Sequence, residues 1–292
     1  MRSELRPIRT RFAPSPTGFL HLGHAFAAIT AHAAAAPGEF LLRVEDLDLG
    51  RTREEFITAI YDDLRWLGLS WREPVLRQST RSDTYRAALD KLERRGLVYP
   101  CFCTRRQIAE EIARSAEAPH GVAIESRYPG ICRALTRQQR EQRIVSGQSY
   151  AMRLDAMKAS SLCPGLRFEE CGKGPHDETG LVNVDPMLFG DIVLARKDLP
   201  AAYHLAVVVD DAFQEVSLVT RGSDLFSSTH IHRVLQHLLE LPAPRYAHHG
   251  LILDDQGRKL SKRDQAVTLR ALRATGVTSA QIHGRLGTAA HA

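Results

Sequence analysis

Between Arg11 and His24 the chain reads Arg-Phe-Ala-Pro-Ser-Pro-Thr-Gly-Phe-Leu-His-Leu-Gly-His, and this segment restricts the fold more than any other. Ile8 to Ala13 has the make-up of a short strand. Pro14 and Pro16 end it, because proline lacks the N–H that a strand ladder needs. Gly18 permits a tight turn, and Gly23 opens an alanine-rich helix expected to run to about Ala36. Their spacing lets His21 and His24 share one face at the start of that helix. A helix N-terminus carries unpaired N–H groups and the positive end of the helix dipole, so it suits a triphosphate. Two imidazoles placed there can donate to phosphate oxygens. An isolated His-x-x-His more often caps or packs a helix. The preceding Ala-Pro-Ser-Pro-Thr-Gly and a basic motif far downstream favour the phosphate.

That second motif is Lys259-Leu260-Ser261-Lys262-Arg263. Of 39 Lys+Arg only six are lysines, and two of the six fall in this pentapeptide. Lysine offers a compact, flexible ammonium suited to a moving contact with phosphate in a transition state. Leu251 to Gly257 reads as strand and turn, which puts the lysines on a loop. On its own, Lys-Ser-Lys-Arg is commonly just a solvated basic loop.

Size and composition set the outer limits. A chain of 292 residues can bury a sizeable core in one large or two modest domains, and 43% hydrophobic with 25% charged residues is ordinary for a soluble protein. The arginines near the N-terminus are not followed by an apolar stretch, so no signal peptide is expected. No apolar run approaches the ~20 residues of a membrane span. A net charge of +5 permits a nucleic-acid partner, and five cysteines argue against a secreted disulfide framework. A cytoplasmic enzyme acting as a monomer is the expectation.

Strand-like and helical segments alternate through the first hundred residues: strand 8–13, helix 23–36, strand 40–44, helix 52–67, helix 83–95. That is the pattern of a parallel, doubly wound sheet. Residues 104–180 mix arginine-rich helical stretches with a Pro/Gly loop near 119–121 and a polar run at 172–180, and read as an inserted subdomain. Val216 to Arg221 reads as a strand and Ser227 to Glu240 as a helix. Leu205 to Val209, by its β-branching, would be a strand. The expected divisions are 1–100, 101–200, 201–250 and 251–292.

Cys101 and Cys103, two apart, can face one side of an extended segment, and Cys132 follows in Tyr128-Pro129-Gly130-Ile131-Cys132. Three thiols in two clusters suit a structural tetrahedral zinc site. For a fourth ligand, His120 is the commoner chemistry, and Tyr128 can serve if a metal lowers its pKa. Three unrelated buried cysteines remain the plainer alternative. Cys163 and Cys171 are read as structural.

The two basic motifs resemble the ATP-handling signatures of class I aminoacyl-tRNA synthetases. Together with Leu42–Asp48, Tyr203–Asp211 and Val219–Leu225 they are similar to the glutamyl-tRNA synthetase catalytic domain over nearly the whole chain. The resemblance implies an α/β fold: a class I synthetase, Rossmann-like nucleotide-binding domain with a parallel sheet and an inserted zinc-binding subdomain. It also implies helix, not strand, at 205–209. The chain stops soon after Arg263, where an anticodon-binding domain would be expected. With Cys101, Cys103, Tyr128 and Cys132, that pattern resembles the glutamyl-queuosine tRNA(Asp) synthetases and implies Tyr128 as the fourth zinc ligand.

The resemblance further implies glutamate activation by ATP without tRNA, then transfer to queuosine in the anticodon of tRNA(Asp). It places Arg11, Phe12, Ala13, Pro14, Ser15, Glu45, Tyr203 and Arg221 around L-glutamate, and His21, Gly23, His24, Lys259 and Lys262 at ATP with Mg2+. His21, His24 and Lys262 carry the chemistry, and Lys259 ranks below Lys262. Physical chemistry agrees: two arginines suit a dicarboxylate, and Glu45 suits an α-ammonium, although Glu45 and Arg221 could also serve as structural ions. Two departures stand out. His204 sits where asparagine is common, and 104–127 looks long, with Arg105, Arg106, Arg114 and Arg127 suited to phosphates or simply to solvent. The rival expectations are a glutamyl-tRNA synthetase with a separate anticodon-binding partner and a synthetase-like RNA-binding module.

Overall fold

The computed structural model describes residues 7–116, 128–197, 199–252 and 267–289. The chain begins with β1 (Arg9–Phe12), α1 (Leu22–Ala35), β2 (Glu39–Val44), α2 (Glu54–Trp66), β3 (Arg72–Arg77), α3 (Ser82–Arg94) and β4 (Val98–Cys101). It continues with α4 (Arg105–Ala116), α5 (Arg137–Val145), β5 (Ala151–Leu154), α6 (Ala156–Ser161), β6 (Arg167–Glu170), β7 (Gly180–Asn183) and β8 (Val193–Arg196). After these come α7 (Tyr203–Phe213), β9 (Leu218–Gly222), α8 (Phe226–Leu239), β10 (Arg245–His249), α9 (Leu269–Ala274) and α10 (Ser279–Ala289).

β1, β2 and β3 form one parallel set, and β9, β10 and β6 another, with β7 added antiparallel at its edge. The two sets meet where Ser217 N–H donates to the Arg9 carbonyl at 2.9 Å. β1 and β9 therefore lie side by side at the point where strand order reverses. In open α/β sheets the crevice beyond the carboxyl ends of such strands is where ligands bind.

The expected elements at 8–13, 23–36, 40–44, 52–67, 83–95, 216–221 and 227–240 all occur within a few residues of those bounds. Leu205–Val209 is helical, inside α7, and not the strand that β-branching suggests. All five residues are buried, and an apolar run buried on every side looks alike in a helix and in a strand. The strand and turn expected over 251–257 lie mostly outside the described residues; just before them β10 runs in parallel register with β9. Residues 253–266 lie outside the described ones.

β4, β5 and β8 make a separate antiparallel sheet, while β6 and β7, from the same stretch of sequence, join the β9–β10 sheet. One apolar core collects side chains of α3, α7 and α8 together with Val98, Met152, Leu154 and Leu194 of the antiparallel sheet. A second packs α1, β2 and α2 with Leu269, Ile282 and Leu286 of the C-terminal helices. Each large aliphatic side chain so buried contributes about 1.5–3 kcal/mol. No helix among the described residues is long and apolar enough to cross a membrane.

Candidate active site

The chain leaves β1 through Ala13 and the two prolines and enters α1 at His21, whose extended backbone (φ −124°) makes it the N-cap. Histidine does the capping here. Gly23 N–H donates to His21 Nδ1 at 3.1 Å, and His21 N–H donates to His24 Nδ1 at 3.2 Å. The two rings lie 3.8 Å apart, centroid to centroid. Because each Nδ1 accepts, each neutral ring carries its proton on Nε2, a tautomer assigned from the bonding pattern. Gly23 leaves room for this: a Cβ there would lie 3.1 Å from His21 Cε1.

Beside this cap is a cavity of about 540 Å³. Arg11, Phe12, Ala13, Pro14, Ser15, Glu45, Tyr203 and Arg221, all expected around the amino acid, line it, and so does His24. Residues from four separate stretches thus converge at the carboxyl ends of β1, β2 and β9 and the start of α7. The Glu45 N–H, just past β2, donates to the Pro14 carbonyl at 3.1 Å and ties the two strand ends together.

Two residues with no expected role organise the charges. Asp211 accepts from Arg11 Nε at 3.0 Å, and Arg43 Nη2 lies 2.8 Å from the same Asp211 oxygen, a contact by charge and not an aligned hydrogen bond. Arg43 is fully buried, with Glu45 3.6 Å from its Nε. Burial pushes the Glu45 carboxyl up to about 7, with Arg43 and Arg11 offsetting only part of the penalty. Burial alone would raise Asp211 too, but the two arginines hold it below the usual carboxylate range. Both residues sit inside recognisable segments. Their signal was a charge embedded in an apolar run, Leu41-Leu42-Arg43-Val44 and Val207-Val208-Val209-Asp210-Asp211, which must find a partner when buried.

The thiols of Cys101, Cys103 and Cys132 lie within 4.8 Å of one another in the antiparallel-sheet region. Cys103 Sγ is 3.4 Å from Cys132 Sγ and 3.5 Å from the Tyr128 hydroxyl, which also accepts the Cys132 N–H at 2.8 Å. Hydrogen bonding between Cys101 and Cys132 pulls the Cys101 thiol down and holds the Cys132 thiol up. Three sulfurs and an oxygen at these spacings fit a tetrahedral cation such as zinc. Arg153 covers the Tyr128 ring at 3.9 Å, a neighbour the sequence did not suggest. His120 lies outside the described residues.

Lys259 and Lys262 also lie outside them, but both flanks of their segment reach the site. A Cβ at Gly222, on the cavity wall, would meet the Leu251 side chain. On the far side Thr268 bridges His21, and Leu269 N–H donates to the Leu20 carbonyl at 2.8 Å.

Residues 7–287 match the family model described as "tRNA synthetases class I (E and Q), catalytic domain". The glutamyl-Q tRNA(Asp) synthetase of Rhodobacter capsulatus is 47% identical over 95% of this chain and 99% of its own length. That of Nitratidesulfovibrio vulgaris is 42% identical over 96% and 85%. Among solved structures, a glutamate tRNA ligase from Elizabethkingia meningosepticum, in complex with its amino acid, superposes with a TM-score of 0.73 at 28% identity. The match covers 89% of this chain and 52% of the ligase, so the chain spans about half the length of that solved relative.

Proposed function

This chain belongs to the class I tRNA synthetase catalytic-domain family of the E and Q type, and from that premise we propose that it activates L-glutamate with ATP and passes the glutamyl group to queuosine in the anticodon of tRNA(Asp). One observation carries the chemistry: a cavity lined by Arg11, Glu45, Tyr203 and Arg221 opens beside a helix N-terminus capped by two histidines. Glu45 takes the α-ammonium, and the arginines take the carboxylates. An α-carboxylate oxygen attacks the α-phosphorus of ATP, the new P–O bond forms, and pyrophosphate leaves with the electrons of the broken one. The attacking group is already an anion, so no general base is required. Positioning and charge stabilisation remain for the protein to supply, through His21 and His24 Nε2–H, the Gly23 turn of α1 and Lys262, with Lys259 secondary. Magnesium enters with ATP and offsets phosphate charge.

In this reading residues 1–100 and 201–250 are the main parts of the nucleotide-binding domain, 101–200 hold the zinc subdomain and also return β6 and β7 to the main sheet, and 251–292 carry the lysine loop and a short helical end. The chain works in the cytoplasm as a monomer. Cys101, Cys103, Tyr128 and Cys132 would hold the zinc, which would cross-link the end of β4 to the 128–132 turn. Purified protein is then expected to carry one zinc, with Cys132→Ser largely stripped of it and Tyr128→Phe yielding it to a chelator about tenfold more readily. Metal analysis and chelator competition decide this. Equal zinc retention in both variants would remove these residues from the ligand set.

The function is tested by incubating the protein with ATP, magnesium and labelled glutamate, with tRNA(Asp) that has or lacks queuosine, while following pyrophosphate exchange. Label confined to the queuosine-containing tRNA is expected. Exchange without labelling would keep the activation step and exclude the acceptor, and charging of unmodified tRNA(Glu) would make the chain a glutamyl-tRNA synthetase. Absence of exchange would leave an RNA-binding module.

A further inference from the structure

Arg11 and Arg221 face the same cavity but are held in opposite ways. Arg11 is paired with the Asp211 carboxylate. Arg221, 5% exposed, has no carboxylate among the described residues within ion-pair distance. Its guanidinium is held by neutral groups instead. Nε donates to His248 Nε2 at 3.1 Å, one terminal nitrogen donates to Thr229 Oγ1 at 2.6 Å, and the other lies 3.1 Å from His232 Nδ1.

Arginine only donates, so every ring nitrogen it meets must accept. This fixes the protons outward from Arg221. His248 carries its proton on Nδ1 and gives it to Glu170 Oε2 at 2.6 Å. His232 carries its proton on Nε2, which faces His204 Nδ1 at 3.1 Å. His204, the departure noted in the sequence, is therefore one step behind the pocket and not in its lining. Burial keeps all three rings neutral, most strongly at His232, with the Arg221 charge acting in the same direction. Three of the five guanidinium N–H groups are committed in this way, and two are left for the cavity that Arg221 lines.

We infer that His232 and His248 are positioning residues that hold Arg221 through neutral acceptors, so that its undiminished positive charge selects a carboxylate, glutamate's distal one, over an uncharged amide. The inference rests on the reading that this cavity takes glutamate. A guanidinium already neutralised by a carboxylate offers hydrogen bonds to an amide nearly as well as to an anion. One braced by imidazole nitrogens favours the anion by the full charge–charge attraction in a partly desolvated cavity.

The test uses pyrophosphate exchange with glutamate and with glutamine, measured on wild type, His232→Glu, His232→Leu and His232→Gln. His232→Glu puts a carboxylate against Arg221. It is expected to raise the KM for glutamate at least tenfold, to narrow the preference over glutamine by a similar factor, and to leave the KM for ATP unchanged. His232→Leu, which removes the acceptor, raises the glutamate KM several-fold with little change in kcat, and His232→Gln recovers most of the loss. Should His232→Glu not fold, judged by its melting curve, the Leu and Gln pair decides. Glutamate KM values within twofold of wild type in the folded variants would overturn the inference. Arg221→Ala separates the two levels. Its loss of glutamate exchange alongside unaffected His232 variants would uphold the pocket and sink the positioning role, whereas wild type inert toward glutamate would sink both.

Discussion

Asp211→Asn is expected to lower the unfolding free energy by about 3–5 kcal/mol, a large share of the ~5–15 kcal/mol that holds a domain together. The cost comes from what is left behind. Arg11 and Arg43 share one Asp211 oxygen, at 3.0 and 2.8 Å, and all three side chains are 6% exposed or less. With the carboxylate gone, two guanidinium groups stay out of water, and Glu45, 3.6 Å from Arg43, and the more distant charge of Asp210 offset them only in part. Asn keeps the shape and an acceptor oxygen, so the loss measures charge and not packing. Asp211's folded pKa is depressed, so its stabilisation is complete above the ordinary carboxylate range and fades only as pH falls through that range and below. The gap between wild type and variant, followed by urea unfolding, should persist at pH 5, where the wild-type Glu45 is protonated, and close at lower pH; between pH 8 and 5 it also carries Glu45, which Asp211 helps to push up. A gap under 1 kcal/mol at pH 8 would mean that solvent reaches the cluster.

That cluster also marks where the sequence stops being legible. The turn from β1 into α1 could be read because its determinants are local: Pro14 and Pro16 end a strand, and His21 and Gly23 start a helix within the same dozen residues. Cys101, Cys103 and Cys132 could be read because few arrangements of thiols make chemical sense, and the structure does bring the three together with Tyr128. The Arg11–Asp211–Arg43 pairing could not. Its members come from β1, α7 and β2, and only the folded sheet makes them neighbours.

β3 is illegible in the sequence for a different reason. Arg72-Glu73-Pro74 breaks the expected alternation, and the strand exists because it lies at the edge of the sheet, beside β2. The antiparallel β4–β5–β8 sheet is built of four-residue strands, too short to carry a periodic signal. The histidines behind Arg221 carried even less: His204, His232 and His248 come from α7, α8 and β10, and nothing in their spacing announces a shared partner.

Glu45 carries the other large effect, and its two consequences have opposite signs. Burial holds its carboxyl near 7, far above its value in an unfolded chain. The folded protein therefore keeps a proton that the unfolded chain gives up, and Glu45 becomes a growing burden as pH rises from about 4.5 through 7. Charged at pH 8, it costs up to about 3 kcal/mol. Glu45→Gln should accordingly raise stability at pH 8 and change it little at pH 5. Asp63 of α2, which burial lifts to about 6, adds to the wild-type pH slope, but it does not line the cavity and remains in the variant, so the difference curve isolates Glu45. Activity should move the other way. An incoming α-ammonium supplies the cation that makes an ionised Glu45 favourable, so kcat/KM for glutamate rises with pH, levels off above about 7, and drops roughly a hundredfold in Glu45→Gln, with the acidic limb gone. Exchange rates and melting curves from pH 5 to 9 on the two proteins measure both. A variant that gains stability and keeps its glutamate kcat/KM would show that Glu45 is a buried structural acid and has no part in holding the substrate.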